Sequence, residues 1–182
     1  MNKESPWKKL SEKEVYDNPW INIKEHKVIN PGGGEGIYGV VGFKNKAIGI
    51  IPIDHEQNTW LVGQYRYPLN EYSWEIPMGG GAISQDVLLS AKKELKEETG
   101  ITAHSWQKIM RIHTSNSATD EEGFVFIARD LEFGATELEE TESDLKLQKL
   151  PFKEVVKMVM EGEITDAISV AGILKAEKLN SF

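Results

Sequence analysis

The chain passes from short β-prone runs to a helical period and back again. From Trp20 to Gly42, the runs WINIKEHKVI and IYGVVGF flank the breaker NPGGGEG, which predicts a hairpin. A second β-rich block follows as AIGIIPID and TWLVGQYRYP, separated by a polar turn at Glu56 to Asn58. These runs alternate poorly between apolar and polar, as strands covered on both faces do. WEIPMGGG closes the block and leads into a loop. From Gln85 to Thr99 the period is helical, with Ser84 available as N-cap, Asp86 in the first turn and Gly100 just past the end. Strands are expected at KIMRIHT and GFVFIARDL, followed by the acidic loop ELEETESD and the strand LKLQKL. A helix begun by Pro151 and a final helix from Asp166 to Asn180 complete the pattern.

Composition narrows the function classes. At 182 residues, with 40% hydrophobic and 27% charged, the chain is long enough for one domain with a real core. Acidic residues outnumber basic ones 29 to 21, so a general grip on a nucleic-acid backbone is not expected, and an anionic partner needs a local cation. The absence of cysteine removes disulfides, thiolate metal sites and a cysteine nucleophile, and fits a reducing compartment. The start MNKESPWKKL has no apolar core of a secretory signal, and no segment approaches the ~18 apolar residues of a membrane span. A soluble, cytoplasmic protein is the expectation, with no nucleic-acid or membrane partner.

Two motifs invite chemistry. GEGIYG, residues 34 to 39, satisfies the dinucleotide-binding pattern by letter, but VVGF follows where a helix is required, so it reads as a hairpin. The helix SAKKELKEETGI is different. At about 100° per residue from Glu94, the stripe of Val87, Leu88, Ala91 and Leu95 spans about 20° to 120°. Glu94, Glu97 and Glu98 fall at about 0°, -60° and 40°, beside that stripe and partly over it. One reading is a solvated face, with Lys93 pairing Glu97 four residues on. The other is a metal site. Two carboxylates ~4 Å apart repel by about 4 kcal/mol at an effective dielectric of ~20, and a hard divalent cation such as Mg²⁺ relieves this.

Gly79, Gln85 and KELKEETGI from Lys93 resemble the Nudix box, G-x5-E-x7-R-E-U-x-E-E-x-G-U, where U is aliphatic. The spacing is kept over all 23 positions from Gly79 to Ile101; Gln85 replaces the first glutamate and Lys93 the arginine. The resemblance implies an α/β fold of Nudix type, an α/β/α sandwich with a mixed sheet, in which the box forms loop, helix and loop. It implies a catalytic Mg²⁺, with Mn²⁺ as a substitute, held by Glu94, Glu98, Glu97 and the main-chain carbonyl of Met78, with Glu97 also among the catalytic acids. The residue at position 93 is then a structural partner of these acids, where lysine keeps the charge without the guanidinium fork.

Outside the box, QYRYPLNEYSWEIPMGGG, TSNSATDEEGFVFIA and EGEIxDA from Glu161 to Ala167 look like the branch that cleaves ADP-ribose and other nucleoside diphosphate sugars. The implied organisation is an N-terminal β segment over 1–45, exchanged between two subunits of a homodimer, and a Nudix hydrolase domain over 46–182. The implied reaction is Mg²⁺-dependent hydrolysis of the diphosphate bond to a nucleoside monophosphate and a sugar phosphate. Asn116 stands where ADP-ribose-preferring members carry proline, which keeps GDP-mannose and similar sugar nucleotides open as substrates. Rival readings are a Nudix hydrolase of dinucleoside polyphosphates or other nucleotides, and a nucleotide-sensing module without catalysis.

Further residues follow from the substrate's chemistry. Arg66 offers bidentate bonds to phosphate oxygens, its alternative being an ordinary ion pair. Trp20 and Trp74 are candidates to stack on the base, or else to pack in the core. Glu75, beside the box loop, is a candidate for substrate or supporting hydrogen bonds. By the resemblance, the general base lies on the loop ATELEETESDL, at Glu140 or Glu142, with Asp144 third.

Overall fold

The computed structural model describes residues 4–138 and 143–180, and these form two compact units. The first comprises Met1–Asn45 with His113–Glu121, and the second Lys46–Ile112 with Glu122–Phe182.

In the first unit, β1 (Lys8–Asp17), β2 (Ile21–Ile29) and β3 (Glu35–Phe43) form an antiparallel meander in that order. Asparagines make both turns. The Asn18 side-chain oxygen accepts from the Trp20 and Ile21 amides at 2.8 Å each, and that of Asn30 accepts from Gly32 and Gly34 at 2.9 and 3.1 Å. The predicted hairpin is therefore β2–β3, and GEGIYG lies in its second strand. β1 is not legible in the pattern, because its ten residues are all exposed and impose no apolar alternation. His113–Glu121 joins this unit through a Val41 amide bond to the Ala118 carbonyl (2.9 Å) and a Phe43 amide bond to Asp120 (2.8 Å).

The second unit holds β4 (Asn45–Pro52), β5 (Asn58–Arg66), β6 (Glu71–Glu75), β7 (Met78–Ala82), β8 (Ile101–Ile112), β9 (Gly123–Phe133) and β10 (Lys146–Pro151). Three helices, α1 (Val87–Thr99), α2 (Phe152–Glu161) and α3 (Ala167–Asn180), accompany them. One sheet runs β7-β4-β9-β8, with β4 parallel and β8 antiparallel to β9; the other runs β10-β5-β6. The poorly alternating strands have two covered faces. Ile48, Ile50, Phe124 and Phe126 pack in one core with Ala91 and Leu95 of α1. Ile51, Ile53, Val125 and Ile127 pack in a second core with Phe152 and Val155 of α2 and Ile173 of α3. This is a mixed-sheet α/β/α sandwich with a small antiparallel N-terminal sheet. No described helix is long and apolar enough to cross a membrane.

Three local expectations change. WEIPMGGG is two strands in different sheets, because Pro77 has no N–H with which to continue a ladder. β8 begins at Ile101, well before KIMRIHT, since its polar first half still pairs with β9. The helix cap is Asp86, not Ser84: the Asp86 carboxylate accepts from the amides of Leu88 (2.8 Å) and Leu89 (3.3 Å), while Ser84 lies in the preceding turn.

Candidate active site

Helix α1 ends where the sequence predicts. Gly100 adopts φ 68°, a left-handed conformation favourable to glycine, and its amide closes on the Lys96 carbonyl at 2.8 Å. Between cap and terminus the three glutamates divide. Glu94 and Glu98, one turn apart, are 8% and 1% exposed and face inward with Ala91 and Leu95. Glu97, further round the helix, is more open and takes the Lys93 ammonium at 2.7 Å. Lys93 also lies 3.7 Å from Glu94, so it partners the acids of the helix as the resemblance implies.

The buried pair meets the start of β7. Glu98 Oε2 accepts the Met78 amide at 2.9 Å. Glu94 lies directly against Gly79: a Cβ at that position would fall far inside contact distance of its carboxylate, so any other residue there displaces Glu94. Met78, Gly79, Glu94 and Glu98 are thus brought together by the packing of α1 on β7. Among the described residues, no group of three or more His, Asp or Glu side chains is gathered to hold a metal ion. The oxygen-donor chemistry nevertheless fits a hard divalent cation, with two buried carboxylates set against glycine backbone. Glu97 engages Lys93 through Oε2 alone.

A second cluster adjoins the first. From the end of β5, Arg66 reaches to Glu75 at the end of β6, with Nε donating to Oε1 at 2.8 Å and Nη2 to Oε2. This two-pronged pair uses two of the five guanidinium donors. Glu75 is buried and Arg66 about one-third exposed. The hydrogen bond to Glu75 raises the Arg66 pKa above its ordinary value, against the opposing effect of burial, and Glu75, Asp166 and Glu98 add charge attraction. Carboxylates from three elements thus favour the charged guanidinium. Asp166 had only its place in EGEIxDA as a signal, with no role attached.

The other predicted residues are placed as follows. Trp74 is half-buried, its ring across Gly63 of β5 and edge-on to Tyr72 at 5.6 Å, where it packs against the core. Trp20 belongs to the first unit and is 67% exposed. Asn116 is exposed in the turn of that unit. Glu140 and Glu142 lie outside the described residues. Near them in sequence, the Glu137 amide donates to the Glu97 carbonyl at 2.9 Å and its carboxylate pairs with Lys96 at 2.7 Å. Asp144 lies within electrostatic reach of Tyr72. A missed contributor is Ser169 of α3, whose hydroxyl accepts the Ile76 amide at 3.1 Å; nothing in the local sequence marks it.

Comparison with known proteins identifies the family. Residues 44–168 match the NUDIX domain model, and residues 7–41 match the nucleoside diphosphate sugar hydrolase N-terminal domain. The chain belongs to the Nudix family, whose hydrolases generally use divalent metal cations. It is 30% identical over 173 residues to an ADP-ribose pyrophosphatase of Mycobacterium tuberculosis, covering 94% of this chain and 83% of that protein. It is 28% identical to an ADP-ribose pyrophosphatase of Bacillus subtilis, covering 88% and 86%. Among solved structures, a crystal structure of an ADP compounds hydrolase superposes with TM-score 0.87 over 100% of this chain and 97% of that one, at 18% identity.

Proposed function

We propose that this Nudix hydrolase cleaves the diphosphate bond of nucleoside diphosphate sugars, with Mg²⁺ as the physiological cation and Mn²⁺ as a substitute. The observation that carries the reading is the buried Glu94–Glu98 pair against Met78 and Gly79, with Arg66 in the field of Glu98. The match of residues 7–41 to a nucleoside diphosphate sugar hydrolase segment supports the substrate class.

In this reading Glu94, Glu98 and the main chain of Met78 hold the cation, with Glu97 as a further acid. When bound, the cation neutralises charge on the diphosphate and on the transition state. Arg66, aligned by Glu75, directs its remaining donors to a phosphate oxygen. Glu140 or Glu142, with Asp144 third, takes the proton of the attacking water. The water oxygen stays on the attacked phosphorus while the bridging P–O bond breaks, giving a nucleoside monophosphate and a sugar phosphate.

A second copy of the chain is the proposed partner of the first unit. Its outer strand β1 and the segments flanking it expose Trp7, Leu10, Val15, Tyr16 and Trp20, an apolar set suited to a homodimer interface. The cysteine-free composition fits the cytoplasm. The test is incubation with Mg²⁺ and a panel of ADP-ribose, GDP-mannose, UDP-glucose, diadenosine polyphosphates and NADH, reading nucleoside monophosphate release. Turnover of a sugar nucleotide is expected, and no turnover of any diphosphate would sink the proposal.

A further inference from the structure

The short linker between β6 and β7 joins the two clusters of the site. Glu75, which aligns Arg66, precedes it; Met78 and Gly79, which meet Glu98 and Glu94, follow it. Pro77 has no N–H, so the linker and the first residue of β7 offer two amide donors, Ile76 and Met78. Side chains of two different helices take them. The Met78 amide donates to Glu98 of α1 at 2.9 Å, and the Ile76 amide donates to Ser169 Oγ of α3 at 3.1 Å. The Pro77 carbonyl accepts from the Ile50 amide of β4 at 2.8 Å. Ile76 and Ser169 are both fully buried, so no bulk water stands in for the hydroxyl.

Ser169 is itself fixed. Its amide donates to the Asp166 carboxylate at 2.7 Å, and the Asp166 carbonyl accepts from Val170 at 2.9 Å, so Asp166 caps the first turn of α3. Its neighbour Ile168 packs with Ile76 over Gly49 of β4. The same Asp166 charge acts on Arg66.

We infer that Ser169 is a positioning residue for both clusters: its hydroxyl holds the Ile76–Pro77 linker so that Glu75 presents Arg66 on one side and Met78–Gly79 meets the paired glutamates on the other. Without that acceptor the Ile76 amide is buried and unsatisfied, which the linker relieves only by moving. This inference rests on the cation site proposed above.

The test is Mn²⁺ titration by electron paramagnetic resonance of the intact protein, with kcat, KM and melting temperature, for the wild type, S169A and S169T. S169A is expected to bind Mn²⁺ about tenfold more weakly, with kcat falling by a similar factor, as for other residues that support a metal's ligands. S169T, which keeps the accepting oxygen, is expected to recover most of the affinity. Wild-type-like Mn²⁺ binding by S169A, with only a lower melting temperature, would overturn the inference and leave the cation site standing. A wild type that binds no Mn²⁺ overturns both. If S169A does not fold, S169C serves in its place as a weaker acceptor: Mn²⁺ affinity falling from wild type through S169T to S169C supports the inference, and equal affinities overturn it.

Discussion

Strand β5 has an acid–cation pair at each end. At its start, Asp54 is buried in the turn before Asn58 and takes Lys149 at 2.8 Å. At its finish, buried Glu75 holds Arg66. The two pairs look alike in burial and charge but differ in what surrounds them. The Asp54 carboxylate closes its own turn, accepting the amides of Glu56 (3.0 Å) and Asn58 (2.8 Å) and the Asn58 side chain. Arg66 instead is bonded to Glu75 of β6 and feels the charge of Asp166, just before α3, and of Glu98 of α1, with Glu94 a turn away from Glu98. A buried acid satisfied by its own turn is architecture. Acids from separate elements that act on one guanidinium, with buried Glu94 and Glu98 set against Met78 and Gly79, are what the proposed cation site rests on.

The sharpest way to break this contrast is Glu98→Gln. The amide oxygen still accepts the Met78 amide, so the fold should survive by circular dichroism, while turnover should fall on the order of 100-fold or more if Glu98 is the anionic ligand proposed above. A fully active variant would show that the cation is held elsewhere. Arg66→Lys comes next. Lysine cannot span both oxygens of Glu75, and KM for a sugar nucleotide should rise roughly tenfold, measured by steady-state kinetics. An unchanged KM would place Arg66 with Asp54's partner, as an ordinary ion pair.

At the other end of β5, the effect should appear in stability and not in turnover. Burial pushes the Asp54 carboxyl up, but hydrogen bonds from Lys149 and from the Asn58 backbone and side chain outweigh it and bring its pKa from 3.8 to about 2. A depressed folded-state pKa contributes stability that is full above pH 3.8 and is lost as pH falls toward about 2. With Lys149 half-exposed, that contribution is discounted to about 1–2 kcal/mol. Asp54→Ala should therefore lower stability at neutral pH by about that amount and flatten the acid limb of a urea-denaturation series, with kcat unchanged. A loss of turnover without loss of stability would erase the distinction between the two ends.

These sites also differ in how visible they were in the sequence. The box was legible because helix geometry and fixed spacing act together: Glu94 and Glu98 share a face with Leu95, and Gly79 leaves room for the Glu94 carboxylate where the two meet. The covered strands β4 and β9 were legible for a similar local reason, an apolar run that fills two cores. Asp54 and Ser169 were not. Asp54 is one acid in a polar turn, and its partner Lys149 lies on β10, reached only once β10 pairs with β5. Ser169 meets Ile76 across 93 residues, and no local period encodes that contact. The extent of β1 was hidden because all its positions are exposed, and the cap moved from Ser84 to Asp86 because the preceding turn runs to Gln85.

The smallest effect is expected one turn before Glu94, at Ser90. It lies on the buried stripe of α1 with Glu94 and Glu98, its hydroxyl against Gly81 of β7, and Oγ is buried without a hydrogen-bond partner among the described residues. A buried hydroxyl with no partner contributes nothing to offset its desolvation. Ser90→Ala removes that group, keeps the small volume that Gly81 requires, and improves helix propensity. Stability should stay the same or rise by up to about 1 kcal/mol, with Mn²⁺ affinity unchanged. If instead the variant loses Mn²⁺ affinity, the hydroxyl serves the bound cation, and the cluster of Met78, Gly79, Glu94 and Glu98 extends one turn further along the helix than its carboxylates indicate.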